Sequence, residues 1–197
     1  MKCLMIVAHP DDETIWAGGL ILQNPGWDWT IFSLCRADDS DRAPKFKKVC
    51  AHLKAKSIIT NLDDKSDKPL PPNRIMEMIL NNLNEKNYDY IFTHGANGEY
   101  GHIRHKEIHK AVTELVKENS LRCKKLWYFD YVPSSQVSLH DKETFIPVPN
   151  KKADWTIKLT DKQHKEKLWI VTDLYGFIPP IIETQSCAKE EAFTLYN

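Results

Sequence analysis

The chain has 197 residues, 42% of them hydrophobic, with 27 Lys and Arg against 27 Asp and Glu and a formal net charge of zero. That length and apolar content suit one compact domain with a substantial core. The balanced charge gives no electrostatic basis for nucleic-acid binding, and no run approaches the roughly 18 apolar residues that cross a bilayer.

In chain order, residues 3–8 are a continuous apolar run, read as an interior parallel strand and too short for an export signal. The polar segment His9-Pro10-Asp11-Asp12-Glu13 leads into an apolar-periodic helix from about Thr14 to Leu22, ended by Asn24-Pro25-Gly26. Trp27 to Cys35 reads as a strand, Arg36 to Pro44 as a charged loop, and Lys45 to Lys56 as an amphipathic helix. A strand over Ser57–Leu62 is followed by the acidic loop Asp63-Asp64-Lys65-Ser66-Asp67 and a helix around Arg74–Asn84. Tyr88–Thr93 is the next strand, His94–His102 a loop rich in glycine and histidine, Arg104–Glu118 a helix and Leu126–Phe129 a strand. Strands alternating with helices in this way indicate βαβ units on a parallel sheet. From about residue 131 the pattern is less regular. Pro133, Pro147 and Pro149 interrupt it, Trp155–Leu159 reads as a strand and Asp161–Lys167 as a short helix. The whole of 1–197 reads as a single domain. Its five cysteines form no CxxC pair, which predicts free, mostly buried thiols in a reducing, cytoplasmic compartment.

Two clusters carry the chemistry. His9 and Asp12 follow the first strand, at the carboxyl edge of the sheet where doubly wound folds bind ligands. A histidine with two adjacent carboxylates there is costly unless solvated, paired or metal-bound. The rival reading is an N-cap for the next helix, made by Asp11 or Asp12. The second cluster is Gly101-His102-Ile103-Arg104-His105, again after a strand, with His109 read as a packing residue of the helix. Two histidines and one aspartate would leave a fourth position open, as catalytic zinc requires, although Fe²⁺ or Co²⁺ suits the same donors. Asp11 supplies a base beside them. Arg36, Arg42, Asp63, Asp64 and His94 lie in loops at the same edge and are candidates to bond substrate.

Ala8-His9-Pro10-Asp11-Asp12-Glu13 with Ala17-Gly18-Gly19 is similar to the opening motif of the PIG-L/LmbE-like family of zinc-dependent N-deacetylases. Gly101-His102-Ile103-Arg104-His105, about ninety residues later, resembles that family's second histidine motif. The resemblance covers the first 120 residues or so. It implies a Rossmann-like three-layer sandwich with a mostly parallel central sheet, and Zn²⁺ held by His9, Asp12 and His105. It makes Asp11 the general base and His102 the group that stabilises or protonates the tetrahedral species; if protonated, His102 would stabilise the oxyanion. The implied reaction is hydrolysis of the acetamide of a small N-acetylated sugar of the N-acetylglucosamine type. The chain departs from the pattern in two places. Arg42, the family's substrate arginine, is followed by Lys45-Phe46 rather than by a glutamate, leaving Arg36 as its rival. Ile103-Arg104 also replaces the usual Pro-Asp between the two histidines. The alternatives are a metal-dependent hydrolase of a non-sugar amide, or a non-catalytic sugar- or nucleotide-binding module on the same fold. The absence of GxGxxG and P-loop patterns weighs against the nucleotide case.

Overall fold

Every residue from Cys3 to Ala8 is fully buried, because β1 (Lys2–Val7) is the central strand around which the other elements assemble. The computed structural model describes residues 1–66, 68–139 and 142–196, so Asp67 of the acidic loop lies outside the described residues. After β1 come α1 (Asp12–Gln23), β2 (Asp28–Cys35), α2 (Arg42–His52), β3 (Lys56–Leu62), α3 (Pro72–Asn82) and β4 (Asn87–Thr93). They are followed by α4 (Ile103–Lys117), β5 (Arg122–Phe129), β6 (Tyr131–Leu139), β7 (Lys142–Pro149) and β8 (Trp155–Lys158). The chain closes with α5 (Asp161–Trp169), a π-helical turn at Ile170–Leu174, α6 (Ile182–Gln185) and β9 (Glu190–Leu195).

The main sheet has the order β3-β2-β1-β4-β5-β9-β8. Its first five strands are parallel and the last two are antiparallel additions. Strand alternation sends the side chains of β1 into two cores. Cys3, Met5 and Val7 pack with α1 and α2, while Leu4, Ile6 and Ala8 pack with α3 and α4. The result is an α/β sandwich of three layers. The strand order reverses between β1 and β4, and the loops leaving those two strands diverge to opposite faces and open a crevice. Both histidine motifs leave the sheet at that crevice.

The carboxyl-terminal third is more ordered than its prolines suggest. β6 and β7 form a separate two-stranded ribbon in which Pro133 pairs with Pro147. Both strands of such a ribbon are edges, so a missing amide donor costs little. β9 returns to extend the main sheet beside β5. All five cysteines are unpaired, and no helix of the described residues is long and apolar enough to cross a membrane.

One buried ion pair ties this late segment to the first motif. α1 is broken at Ala17 (φ −147°, ψ 16°), which frees backbone amides partway along the helix. The Glu191 carboxylate accepts the amides of Gly19 (2.6 Å) and Leu20 (2.8 Å) and pairs with Lys167 Nζ at 2.7 Å. Both partners are fully buried. Gly19 itself admits no side chain, since a Cβ there would lie 2.5 Å from Leu159. Removing one partner strands the other's charge in the core, so Glu191→Ala is expected to cost about 3–5 kcal/mol. Denaturant midpoints would measure it, and a loss below about 1 kcal/mol would show that the pair is not holding the helix break.

Candidate metal centre

Three donor atoms meet where β1 and β4 end. His9 Nδ1 lies 3.3 Å from Asp12 Oδ2, His105 Nε2 lies 3.4 Å from the same oxygen, and the two ring nitrogens are 3.3 Å apart. A tetrahedral zinc with ligands at about 2.0–2.1 Å needs donor separations of about 3.3–3.4 Å. The donor set therefore fits a divalent metal in size as well as in chemistry.

The two ring nitrogens have their partners on the far side of each ring, whereas Asp12 Oδ2 also accepts the His9 amide at 2.8 Å. His9 Nε2 is 3.0 Å from Asp64 Oδ1, and His105 Nδ1 is 2.6 Å from Glu99 Oε2. With a metal in place each imidazole would donate its outer N–H to a carboxylate and turn a lone pair inward, the arrangement typical of metal-binding histidines. Asp12 Oδ1 accepts the Trp16 indole N–H at 2.8 Å, which sets the carboxylate plane. Burial opposes charge here, yet the Asp12 and Asp64 carboxylates bring the His9 imidazole up to about 10. Burial likewise opposes the Glu99 carboxylate, but His94 and His105 hold it down to about 2. The converging lone pairs create a strong demand for a cation at their centre.

Local backbone explains how the side chains get there. Asp12 is the first residue of α1, so its side chain projects from the helix start over the end of β1. The Asp11 side chain makes no capping bond. The residue instead adopts φ 123°, with its amide accepted by Glu13 Oε2 at 3.0 Å. Glu99 is also left-handed, at φ 57°, and its second oxygen accepts the Gly95 amide at 2.7 Å. His102 is the N-cap of α4, its Nδ1 accepting the Arg104 amide at 3.2 Å.

Two of these donors' residues, His9 and Asp12, line a cavity of about 210 Å³ whose wall also includes Asp11, Trp16, Arg36, Arg42, Tyr100, His102 and Glu183, with His105 fully buried behind it. Burial pushes the Asp11 carboxyl well above the usual carboxylate range, reinforced by Asp12 and opposed by His9 and Arg42. Arg42 Nη1 stands 3.4 Å from Asp11 Oδ2. Arg36 is occupied differently, giving two donors to Asp64 Oδ2 at 3.0 and 2.7 Å.

Several expected sites differ from the sequence reading. Asp63 does not line this cavity: its carbonyl accepts Arg104 Nε and its carboxylate accepts the Lys65 amide, in a neighbouring depression. His94 is fully buried beneath His105, stacked on it at 3.8 Å, with Nε2 accepting the Ala8 amide and Nδ1 on Glu99. It is a support for the centre and has no face toward a substrate. Asp64, read as a substrate contact, is the hydrogen-bond partner of His9. Burial and the neighbouring His105 and His9 lower the His102 imidazole to about 3, which favours its neutral form. Glu99, Tyr100 and Glu183 escaped the sequence reading altogether. A glutamate inside a glycine-rich loop directly before a histidine motif was the one available signal for Glu99.

Comparison with known proteins adds the following. The family model for PIG-L, GlcNAc-PI de-N-acetylase, matches residues 4–116. Uncharacterized protein L374 of Acanthamoeba polyphaga mimivirus is 29% identical over 135 residues, which is 59% of this chain and 58% of that protein, so the match spans little more than half of the relative. Among solved structures, the N,N'-diacetylchitobiose deacetylase of Pyrococcus horikoshii superposes with a TM-score of 0.69 at 16% identity, over 99% of this chain and 83% of its own. The 4-carboxy-2-hydroxymuconate hydratase of Pseudomonas putida KT2440 gives 0.56 at 11% identity, over 99% and 96%. At such identities the likeness is one of fold, and that fold carries more than one chemistry.

The hydrogen bonds behind the donors yield a prediction. Glu99→Gln retains the shape of the side chain but cannot accept from two imidazoles with a full charge. Divalent-metal affinity, read by competition with a chromogenic chelator, is expected to weaken about 10–100-fold. Unchanged affinity would mean that Glu99 does not orient His105.

Proposed function

The chain belongs to the PIG-L/LmbE-like family of metal-dependent amidohydrolases, and from that premise we propose that it hydrolyses the acetamide of a small N-acetylated sugar, releasing acetate and a free amine. The observation that carries the reading is the triangle of His9, Asp12 and His105 donors with an uncoordinated carboxylate, Asp11, in the same cavity wall. In this proposal those three residues hold Zn²⁺. A divalent metal in such a cage supplies Lewis-acid chemistry, polarising an amide carbonyl and acidifying water.

The chain's own residues do the rest. Asp11 takes a proton from the attacking water and returns it to the departing amine. His102 donates Nε2–H, as a neutral imidazole, to the oxygen on which negative charge develops. Arg42 stands beside Asp11 and is the better placed of the two arginines to bind substrate, because Arg36 is committed to Asp64. Glu183, also in the cavity wall, accepts from sugar hydroxyls and disfavours anionic substituents. The overall step is balanced: water adds across the C–N bond, hydroxyl going to the acyl carbon and a proton to nitrogen.

Protein reconstituted with Zn²⁺ is expected to hold about one ion per chain and to release acetate from N-acetylglucosamine or N,N'-diacetylchitobiose. His105→Ala is expected to lose metal and turnover together. Asp11→Asn is expected to keep the metal while kcat falls by about 10²–10⁴, and full turnover in that variant would remove Asp11 as the base. Metal uptake without acetate from any acetamide would reject the deacetylase reading.

A further inference from the structure

The segment Tyr175-Gly176-Phe177 lies far beyond the residues matched by the family model, yet both of its aromatic side chains turn inward toward the site. Tyr175 is 1% exposed and its hydroxyl donates to Glu13 Oε1 at 2.8 Å. Glu13 is fully buried, and its other oxygen accepts the Asp11 amide. The Phe177 ring lies beneath the Arg42 guanidinium, 4.1 Å from the carbon to the ring centroid. The turn is anchored at its own backbone, where the Tyr175 amide donates to Ile170 (3.0 Å) and the Phe177 amide to Val171 (3.1 Å). Gly176 sits at φ 80°, the left-handed conformation that lets residues on either side of it both face the interior.

We propose that this turn is a positioning clamp with two arms: Tyr175, acting through Glu13, holds the Asp11 peptide in its left-handed conformation, and Phe177 holds Arg42 beside the Asp11 carboxylate. The assignment rests on the roles given above to Asp11 and Arg42. Its physical basis differs for each arm. Asp11 at φ 123° has a conformation that a non-glycine residue keeps only when its surroundings over-determine it. The two Asp11 contacts that do so are the Glu13 carboxylate on its amide and the first turn of α1 on its carbonyl. Glu13 is in turn held by two hydroxyls, those of Thr14 (2.6 Å) and Tyr175. Thr14 travels with the same helix, so Tyr175 is the partner that references the Asp11 loop to the rest of the fold. Arg42 is a long side chain at the cavity wall, 29% exposed. A ring beneath its guanidinium removes rotamer freedom that substrate binding would otherwise have to freeze.

The two arms separate kinetically. Tyr175→Phe deletes only the hydroxyl and is expected to lower kcat about tenfold, with KM and zinc stoichiometry unchanged. Phe177→Leu is expected to raise KM about fivefold to tenfold with kcat retained, and Phe177→Trp to restore it. A fall in kcat at constant KM in Phe177→Leu, or wild-type kinetics in either variant, would overturn the clamp. A readout independent of turnover is amide hydrogen exchange in the zinc-loaded protein. In Tyr175→Phe the Asp11 amide is expected to exchange about tenfold faster while the β1 amides keep their rates. General acceleration would indicate a merely structural role, and no acceleration would remove the Tyr175 arm. If the wild-type protein releases no acetate from any acetamide, the proposed function fails while the exchange measurement still decides the Tyr175 arm of the clamp.

Discussion

Three lone pairs converging within 3.3–3.4 Å of one another are the constraint on which the rest of this structure depends. Left to itself such an arrangement is repulsive, and the imidazoles would rotate to bond water or backbone instead. Here they are prevented from doing so because each has its other nitrogen committed to a buried or half-buried carboxylate, Asp64 for His9 and Glu99 for His105. The Asp64 charge helps to raise the basicity of His9, and the Glu99 charge opposes the burial that lowers His105. Cation affinity is therefore built in two layers, donors in front and carboxylates behind, and neither layer makes sense without the other.

The topology makes this affordable. At the reversal of strand order between β1 and β4 the sheet offers loop ends from two directions, so residues ninety positions apart meet without a long excursion of either chain. The costs fall on the backbone of those loops: Asp11 and Glu99 both hold positive φ. Rigidity comes from the cores on either face of β1, whose residues from Cys3 onward are fully buried. The carboxyl-terminal third closes the arrangement. β9 brings Glu191 under the broken helix α1, and the residues after α5 bring Tyr175 and Phe177 against the Asp11 loop.

The parts of this that were legible in the sequence are those written in local pattern. The apolar run of β1, the alternation of strands and helices through β5, and the two histidine motifs at strand ends needed only periodicity and position. Hidden parts depended on distant partners. β6 and β7 carry three prolines, which count against strand in any local reading and are harmless in a two-stranded ribbon. Asp63 and Asp64 look equivalent as neighbours in an acidic loop, and only the path of that loop decides that Asp64 faces His9 while Asp63 faces away. His94 seemed a pocket residue because it ends a strand at the right edge. What displaced it was the stacking of His105 above it and the use of its lone pair by the Ala8 amide. Glu99 gave almost no local sign, since its role arises from one oxygen shared between two histidines that the fold brings together.

Arg104 shows how a departure from a family pattern can be absorbed. Between the two histidines of the second motif the resemblance leads one to expect a carboxylate, and this chain has a guanidinium that is fully buried. A buried charge must be matched, and all five N–H donors of Arg104 are taken: by the carbonyls of Asp63, Ser66 and Lys68 and by the Glu107 carboxylate. Glu107 in turn accepts the Leu70 amide. The guanidinium thus gathers the acidic loop onto the start of α4, and that same loop carries Asp64 to His9. The support that a carboxylate in the motif would give directly is delivered here at one remove, by a cation that organises the loop bearing the carboxylate.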